Sequence, residues 1–211
     1  MSVNERITVN AQSSICIGAE KTLYFDPFRL ENEPHDADVI FITHAHFDHF
    51  SPKDIEKIAN PDTVYVFPAS MKADAKKAGI PPKSAIFLNP GDKTEVCGFP
   101  VEAVPSYNTN KPMHPKKNGW LGYVVTVDGE RVYVSGDMDA TPEAAALSCD
   151  TALIPIGGTY TMNPKEAAAL VNQMKPKTVI PTHYGSVVGS PKDGKAFAAL
   201  VESDVKVEFR L

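Results

Sequence analysis

The stretch that most restricts this chain is "ADVIFITHAHFDHF", residues 37–50, where a continuous apolar run leads straight into three of the six histidines and an aspartate. An unbroken apolar run of this length reads as a strand buried on both faces. The imidazoles that follow then lie in the loop at that strand's C-terminal end. A core has no use for several imidazoles that each need a partner, whereas neutral imidazole is the commonest protein ligand for metal ions. His44 and His46 point the same way if the backbone is extended, so one ion could be gripped by both. A turn directly after them would aim Asp48 and His49 at a second ion nearby. Nitrogen and carboxylate ligands without a thiolate suit zinc first, with manganese or iron(II) as alternatives.

Length and charge frame this loop. The 211 residues suffice for one large domain, read as residues 1–211, with a sizeable core. The formal net charge is −5 and no basic block stands out, so no nucleic-acid partner is expected. The apolar stretches are strand-sized, which excludes a membrane-spanning helix. The opening "MSVNERITVN" lacks the apolar core of a signal peptide, and cytoplasmic residence is the expectation. Cys16, Cys97 and Cys149 are sparse and unpaired in spacing, which argues against a disulfide framework and for small buried hydrophobes.

The local pattern alternates short strands with few helices. Strands are expected at residues 6–10, 14–19, 22–27, 37–43, 63–68, 84–89, 93–98 and 100–105. Residues 120–137 read as two strands joined by Asp128-Gly129, a strong hairpin signal. Further strands are expected at 151–156, 177–182 and 205–211. Helices are expected at 51–60, capped by Ser51 with Pro52 in its first position, and at 69–80, stopped by Gly79. Three more are expected at 141–147, 163–174 and 191–203. This mixture in both halves implies an α/β protein of two packed sheets with helices outside.

Two other strands end in ligand-type residues. "VYVSGDMD" places Asp137 after a strand and a glycine, and "VIPTHYG" places His183 after another buried strand. Each is weak alone, but three strands ending this way could gather their side chains at one edge of a sheet sandwich.

The series HxHxDH, then glycine-aspartate after a strand, then a late strand-end histidine resembles the metallo-β-lactamase superfamily. "FDPF", "SGDMD", "LIPIGGTYTM" and "IPTHYG" resemble its prokaryotic metal-dependent hydrolases, the branch near the ascorbate-phosphate lactonases. The resemblance implies a four-layer αββα sandwich with the metal site at one edge. It implies that His44 and His46 bind a first ion, that Asp48, His49 and His183 bind a second, and that Asp137 bridges the two. Asp26 would support the histidine loop from behind the ligands. The usual third histidine of the first ion is missing from its register, where Asn108 stands, and His114 is the histidine nearby. Either His114 reaches in from the loop or the first ion has one protein nitrogen fewer. We take His114, because a catalytic dication usually keeps three or more protein ligands. His35 has no partner pattern and reads as surface.

Two bound dications would generate hydroxide at neutral pH, and Asp48 and Asp137 would be the catalytic carboxylates. The expected activity is hydrolysis of a small ester, such as a phosphodiester or phosphorylated lactone. An aspartate where several true β-lactamases carry cysteine argues against β-lactam cleavage. The charge of the ions, with Lys111, Lys116 and Lys117 in the loop beside His114, leads to the expectation of an anionic small-molecule substrate. "GGTYTM", residues 157–162, is a second candidate substrate surface through Thr159, Tyr160 and Thr161, or a plain strand-to-helix connection. The alternative to an enzyme is a metal-binding or metal-sensing module without turnover. Homo-oligomerisation is compatible with either.

Overall fold

The structure, a computed structural model, describes residues 2–211. The first half of the chain builds one six-stranded sheet with its strands in chain order: β1 (Ile7–Ala11), β2 (Ser14–Gly18), β3 (Thr22–Phe25), β4 (Val39–Phe41), β5 (Val64–Pro68) and β6 (Ala85–Leu88). The first three pair antiparallel; β3 through β6 are parallel. The parallel steps are crossed by α1 (Pro52–Ile58) and α2 (Lys72–Lys77). The second half repeats the plan in seven strands: β7 (Lys93–Val96), β8 (Phe99–Pro105), β9 (Leu121–Val127), β10 (Glu130–Val134), β11 (Thr151–Pro155), β12 (Thr178–Thr182) and β13 (Lys206–Val207). Here β7 to β10 are antiparallel and β10 to β13 parallel, with α3 (Pro142–Ala145), α4 (Pro164–Met174) and α5 (Pro191–Ala198) as crossovers.

Period-two alternation along the strands sorts their side chains into three apolar layers. In β4, Val39 and Phe41 face the space between the sheets while Ile40 faces the helices; in β10, Val132 and Val134 face inward and Tyr133 outward. All three β4 residues are fully buried, as the run at 37–43 requires. Between the sheets Phe25 stacks on Phe41 at 4.7 Å, and Phe41 meets Tyr123 of the opposite sheet at 5.2 Å. Each such buried aromatic contributes about 2–3 kcal/mol of burial free energy. Outside the first sheet Ile55 and Ile58 of α1 and Ala75 of α2 pack on Ile40, Tyr65 and Phe67. Outside the second, Ala167, Leu170 and Val171 of α4 and Phe197 of α5 pack in the layer of Ala152, Ile154 and Val179. The result is the expected four-layer αββα sandwich.

Local expectations fare unevenly. The Asp128-Gly129 turn joins β9 and β10 with both residues at positive φ, 49° and 81°, the conformation that matches strand twist. Ser51, Thr141, Asn163 and Ser190 cap α1, α3, α4 and α5 as their side chains allow. The helix expected at 69–80 is a 3-10 turn followed by the short α2, and the strand expected at 205–211 is only β13. The cysteines are half-buried, each at the rim of a different apolar layer. No helix among the described residues is long and apolar enough to cross a membrane.

Parallel pairing has one consequence for function. The C-terminal ends of β3, β4, β10, β11 and β12 emerge at the same edge, where ligands bind in open α/β sheets. Asp26, His44–His49, Asp137, Gly157 and His183 are the residues at or just beyond those ends.

Candidate metal centre

Asp26 organises the centre from below. It is fully buried with φ at +46°, a conformation disfavoured for any residue with a Cβ. Its Oδ1 accepts the Thr43 N–H at 2.8 Å, and its Oδ2 accepts the Thr43 hydroxyl at 2.6 Å and His49 Nδ1–H at 2.7 Å. Having given its proton to Asp26, the Thr43 hydroxyl accepts His44 Nδ1–H at 3.0 Å. Both imidazoles are thereby fixed in one tautomer, each with an Nε2 lone pair directed away from Asp26. Burial pushes the Asp26 pKa up. His49 loses basicity to burial, but the carboxylates of Asp137 and Asp26 more than restore it and hold its pKa well above the usual range.

A side chain behind the ring likewise sets the geometry of the loop after β8. Asn108 occupies the register position, but its side chain faces His114: Oδ1 accepts His114 N–H at 3.0 Å and His114 Nδ1–H at 2.9 Å. Asn108 Nδ2 donates to the Tyr160 carbonyl at 3.0 Å, which fixes the amide's orientation. His114 is thus carried inward, 1% exposed, with Nε2 3.2 Å from His46 Nδ1. His46 Nδ1 in turn lies 3.1 Å from His44 Nε2. Burial lowers the pKa of all three imidazoles, that of His114 to about 4.

His49, His183, Asp48 and Asp137 form the adjoining set. His49 Nε2 is 3.3 Å from Asp137 Oδ1 and 3.7 Å from Asp48 Oδ2. His183 Nε2 is 3.3 Å from Asp48 Oδ2 and 3.2 Å from Asp137 Oδ2. Asp137 Oδ2 is also 3.4 Å from His114 Nε2, so this carboxylate touches both sets. Burial would raise the Asp137 pKa, but His183 and His49 drive it well below the carboxylate range. Two glycines make the convergence sterically feasible. A Cβ on Gly136 would lie 2.9 Å from Thr43 Cβ, and one on Gly157 would lie 2.2 Å from the His183 carbonyl oxygen. His183, like Asp26, has positive φ, at 56°.

The chemistry of these donors matches a metal ion. His44 Nε2, His46 Nδ1 and His114 Nε2 crowd together although His44 and His114 have already placed their protons elsewhere. A proton on His46 Nδ1 could satisfy only one of these two lone pairs fully, whereas a cation among the three nitrogens satisfies all of them. Their 3.1–3.2 Å spacings are close to the edge of a tetrahedron around zinc, about 3.3 Å for Zn–N near 2.0 Å. His49 Nε2, Asp137 Oδ1 and His183 Nε2 are buried without a hydrogen-bond partner, which a buried polar atom tolerates poorly. Two donor triplets fall within ligand reach, His44-His46-His114 and Asp48-His49-His183. A third, Asp26-His44-His49, uses the Nδ1 side already closed by hydrogen bonds.

Every ligand candidate from the sequence, His44, His46, Asp48, His49, His114, Asp137 and His183, is brought to this edge. His35 is exposed, with Nδ1 on the Ala59 carbonyl. Three contributors were not visible in the sequence. Thr43 relays Asp26 to His44. Trp120 packs on His44, His46 and His114 at 4.9, 5.0 and 5.6 Å. Asp139 anchors the His114 loop by accepting the N–H groups of Thr109 and Asn110 and pairing with Lys111. Of the lysines, Lys111 is therefore committed to Asp139, and Lys116 lies over the Tyr107 ring and pairs with Glu143 at 2.8 Å. In residues 157–162, Gly157 packs on the His183 loop, Thr161 is buried and Tyr160 faces the opening of the centre.

Known proteins resemble this chain in sequence and fold. A sequence profile for the beta-lactamase superfamily domain matches residues 6–183. A "UPF0173 metal-dependent hydrolase" of Thermococcus onnurineus is 32% identical over 204 residues, covering 90% of this chain and 89% of that one. A Parabacteroides distasonis protein assigned to the metal-dependent hydrolases has a solved structure that superposes with a TM-score of 0.81 at 31% identity, covering 97% of this chain and 91% of that one. Igni18, a metallo hydrolase of Ignicoccus hospitalis, has the same fold, with a TM-score of 0.75 at 20% identity over 97% of this chain and 94% of that one. With the profile spanning most of its length and these relatives spanning nearly all of it, the chain belongs to the metallo-β-lactamase superfamily.

Proposed function

We propose that the protein is a metal-dependent hydrolase of a small ester, working in the cytoplasm with two divalent ions, zinc first and manganese or iron as alternatives. The observation that carries this reading is the set of buried nitrogen and carboxylate lone pairs with no partner but one another. His44, His46 and His114 would hold one ion, Asp48, His49 and His183 the other, and Asp137 would bridge them. Ions bound there would lower the pKa of a water molecule and polarise the oxygen under attack. Asp26, Thr43 and Asn108 each hold the Nδ1 of one imidazole, those of His49, His44 and His114, and so aim the opposite nitrogen inward. Asp48, which lines the opening, is placed to carry a proton. In the overall reaction the water oxygen bonds to the acyl carbon, and the C–O bond breaks with its electron pair going to the alcohol oxygen. The displaced proton ends on that oxygen.

A first site one nitrogen short would favour metal binding without turnover; the burial of His114 with Nε2 3.2 Å from His46 Nδ1 supports the enzyme reading instead. The anionic preference has weaker support than the lysines promised, since Lys111 and Lys116 are paired with acids and neither lines the opening. It rests on the charge of the ions alone. The test is hydrolysis of an ester and phosphodiester panel by protein reconstituted with zinc or manganese. Turnover abolished by chelator and restored by metal is expected; no turnover by the fully loaded protein contradicts the reading.

A further inference from the structure

The opening above the centre is apolar. A pocket of about 230 Å³ is lined by His46, Asp48, His114, Asp137 and His183 on the metal side and by Phe47, Met113, Tyr160 and Val187 on the other. No lysine or arginine is among its lining residues. These four wall residues come from four separate loops, those after β4, β8, β11 and β12. They are also four of the seven large hydrophobic side chains that are exposed among the described residues; the other three, Leu200, Phe209 and Leu211, lie near the C-terminus. Isolated exposed hydrophobics need no explanation, but convergence of four on one small mouth does.

The wall is also held in place. Phe47, 67% exposed, meets Phe28 edge-on at 5.9 Å. The Tyr160 backbone is tied to Asn108, and the Met113 loop to Asp139. Small-molecule sites are mostly apolar with a few convergent polar groups, and this volume is below the roughly 300 Å³ of the smallest drug-sized sites.

We propose that this mouth is the acyl pocket of the centre and takes a short, uncharged alkyl or aryl group carried beside the scissile carbonyl, so that the substrate class is a small apolar ester rather than a phosphate ester. A group next to the reacting carbon would lie beside His46, Asp48 and His114, where the apolar wall begins. This rests on the hydrolase reading for its reaction but not for its binding preference, and the two are tested apart.

The experiment uses the metal-loaded protein with p-nitrophenyl acetate, butyrate and hexanoate, and with bis(p-nitrophenyl) phosphate. The expected kcat/KM rises about fourfold per added methylene until the pocket is full, and the phosphodiester is the poorest substrate. In Phe47→Ala and Val187→Asp the butyrate-to-acetate ratio falls at least fivefold while metal content is unchanged. A flat series, an unchanged ratio in both variants, or a preference for the phosphodiester overturns the proposal. Binding is read separately from the fluorescence of Trp120, the single tryptophan, on titration with acetate, butyrate and hexanoate. Affinity rising with chain length supports the pocket even if no ester is hydrolysed, in which case only the hydrolase reading falls. Affinity independent of chain length, or a dimer in sedimentation that Val187→Asp dissociates, assigns the apolar wall to something other than an acyl group.

Discussion

At the scale of single residues the centre depends on side chains that lie behind the proposed ligands. Hydrogen bonds to the remote nitrogen of a ligand imidazole set its tautomer and direction, and their loss typically costs 10- to 100-fold in metal affinity. Asn108 does this for His114 through two acceptor contacts on one oxygen. Asn108→Ala is therefore expected to weaken zinc binding by about 10- to 100-fold, measured by competition with a chromophoric chelator, and to lower the thermal midpoint of the metal-free protein because the three hydrogen bonds of this buried side chain are lost. An unchanged affinity would show that His114 is held by its loop alone. Three of the proposed ligands are legible because each follows a buried strand directly: His44, Asp137 and His183 lie one to three residues past β4, β10 and β12. His114 was legible only as a candidate, since it lies nine residues past β8 and is brought inward by Asn108 and by Asp139 from the loop after β10. Thr43 and Trp120 had no signal, since in the sequence each reads only as the end residue of an expected strand; in the structure both lie just outside β4 and β9.

At the scale of elements, the loop leading out of β3 is pinned to the start of α1 by one carboxylate. Asp54 accepts the N–H groups of Arg29 and Leu30 at 3.1 and 2.9 Å and the Ser51 hydroxyl at 2.7 Å. Burial would raise its pKa, but the bonds from Ser51, Leu30 and Arg29 outweigh it, and the pKa falls below 3.8. A carboxylate with a depressed folded-state pKa contributes stability above its unfolded value and loses it as pH falls through the folded one. Asp54→Ala is expected to cost about 2 kcal/mol at pH 7, with the difference from wild type shrinking below pH 3.8, as urea titrations at pH 7 and pH 3 would read. An equal difference at both would remove the charged hydrogen bonds from the explanation. Element ends were the least legible feature. The helix expected to run to 203 stops at Ala198 because Asn172 of α4 captures the following backbone, donating to the Leu200 carbonyl and accepting the Glu202 N–H. A contact across 30 residues leaves no local trace in the sequence.

The whole molecule is two similar halves, one sheet each, that share a core and a site. Strand alternation and the apolar run at 37–43 made the sandwich readable; what they did not reveal is that the sheet boundary coincides with the exposed turn at 89–91, between β6 and β7. Asp26, His44, His46, Asp48 and His49 belong to the first half and His114, Asp137 and His183 to the second. Neither half can cover its inner face or complete the centre alone. Chains 1–90 and 91–211 expressed together are expected to co-purify and to bind metal, while either expressed alone is insoluble or unfolded by circular dichroism. A soluble, folded single half would contradict the shared core.

The central claim is that this edge holds two metal ions bridged by Asp137. Elemental analysis of protein incubated with zinc and desalted tests it directly, with Asp137→Ala and His114→Ala beside the wild type. We predict about two ions per chain for wild type, with a loss in each variant, greater in Asp137→Ala because its carboxylate serves both positions. A wild-type protein that stays near zero after incubation, or an Asp137→Ala protein that retains the full complement, would contradict the account.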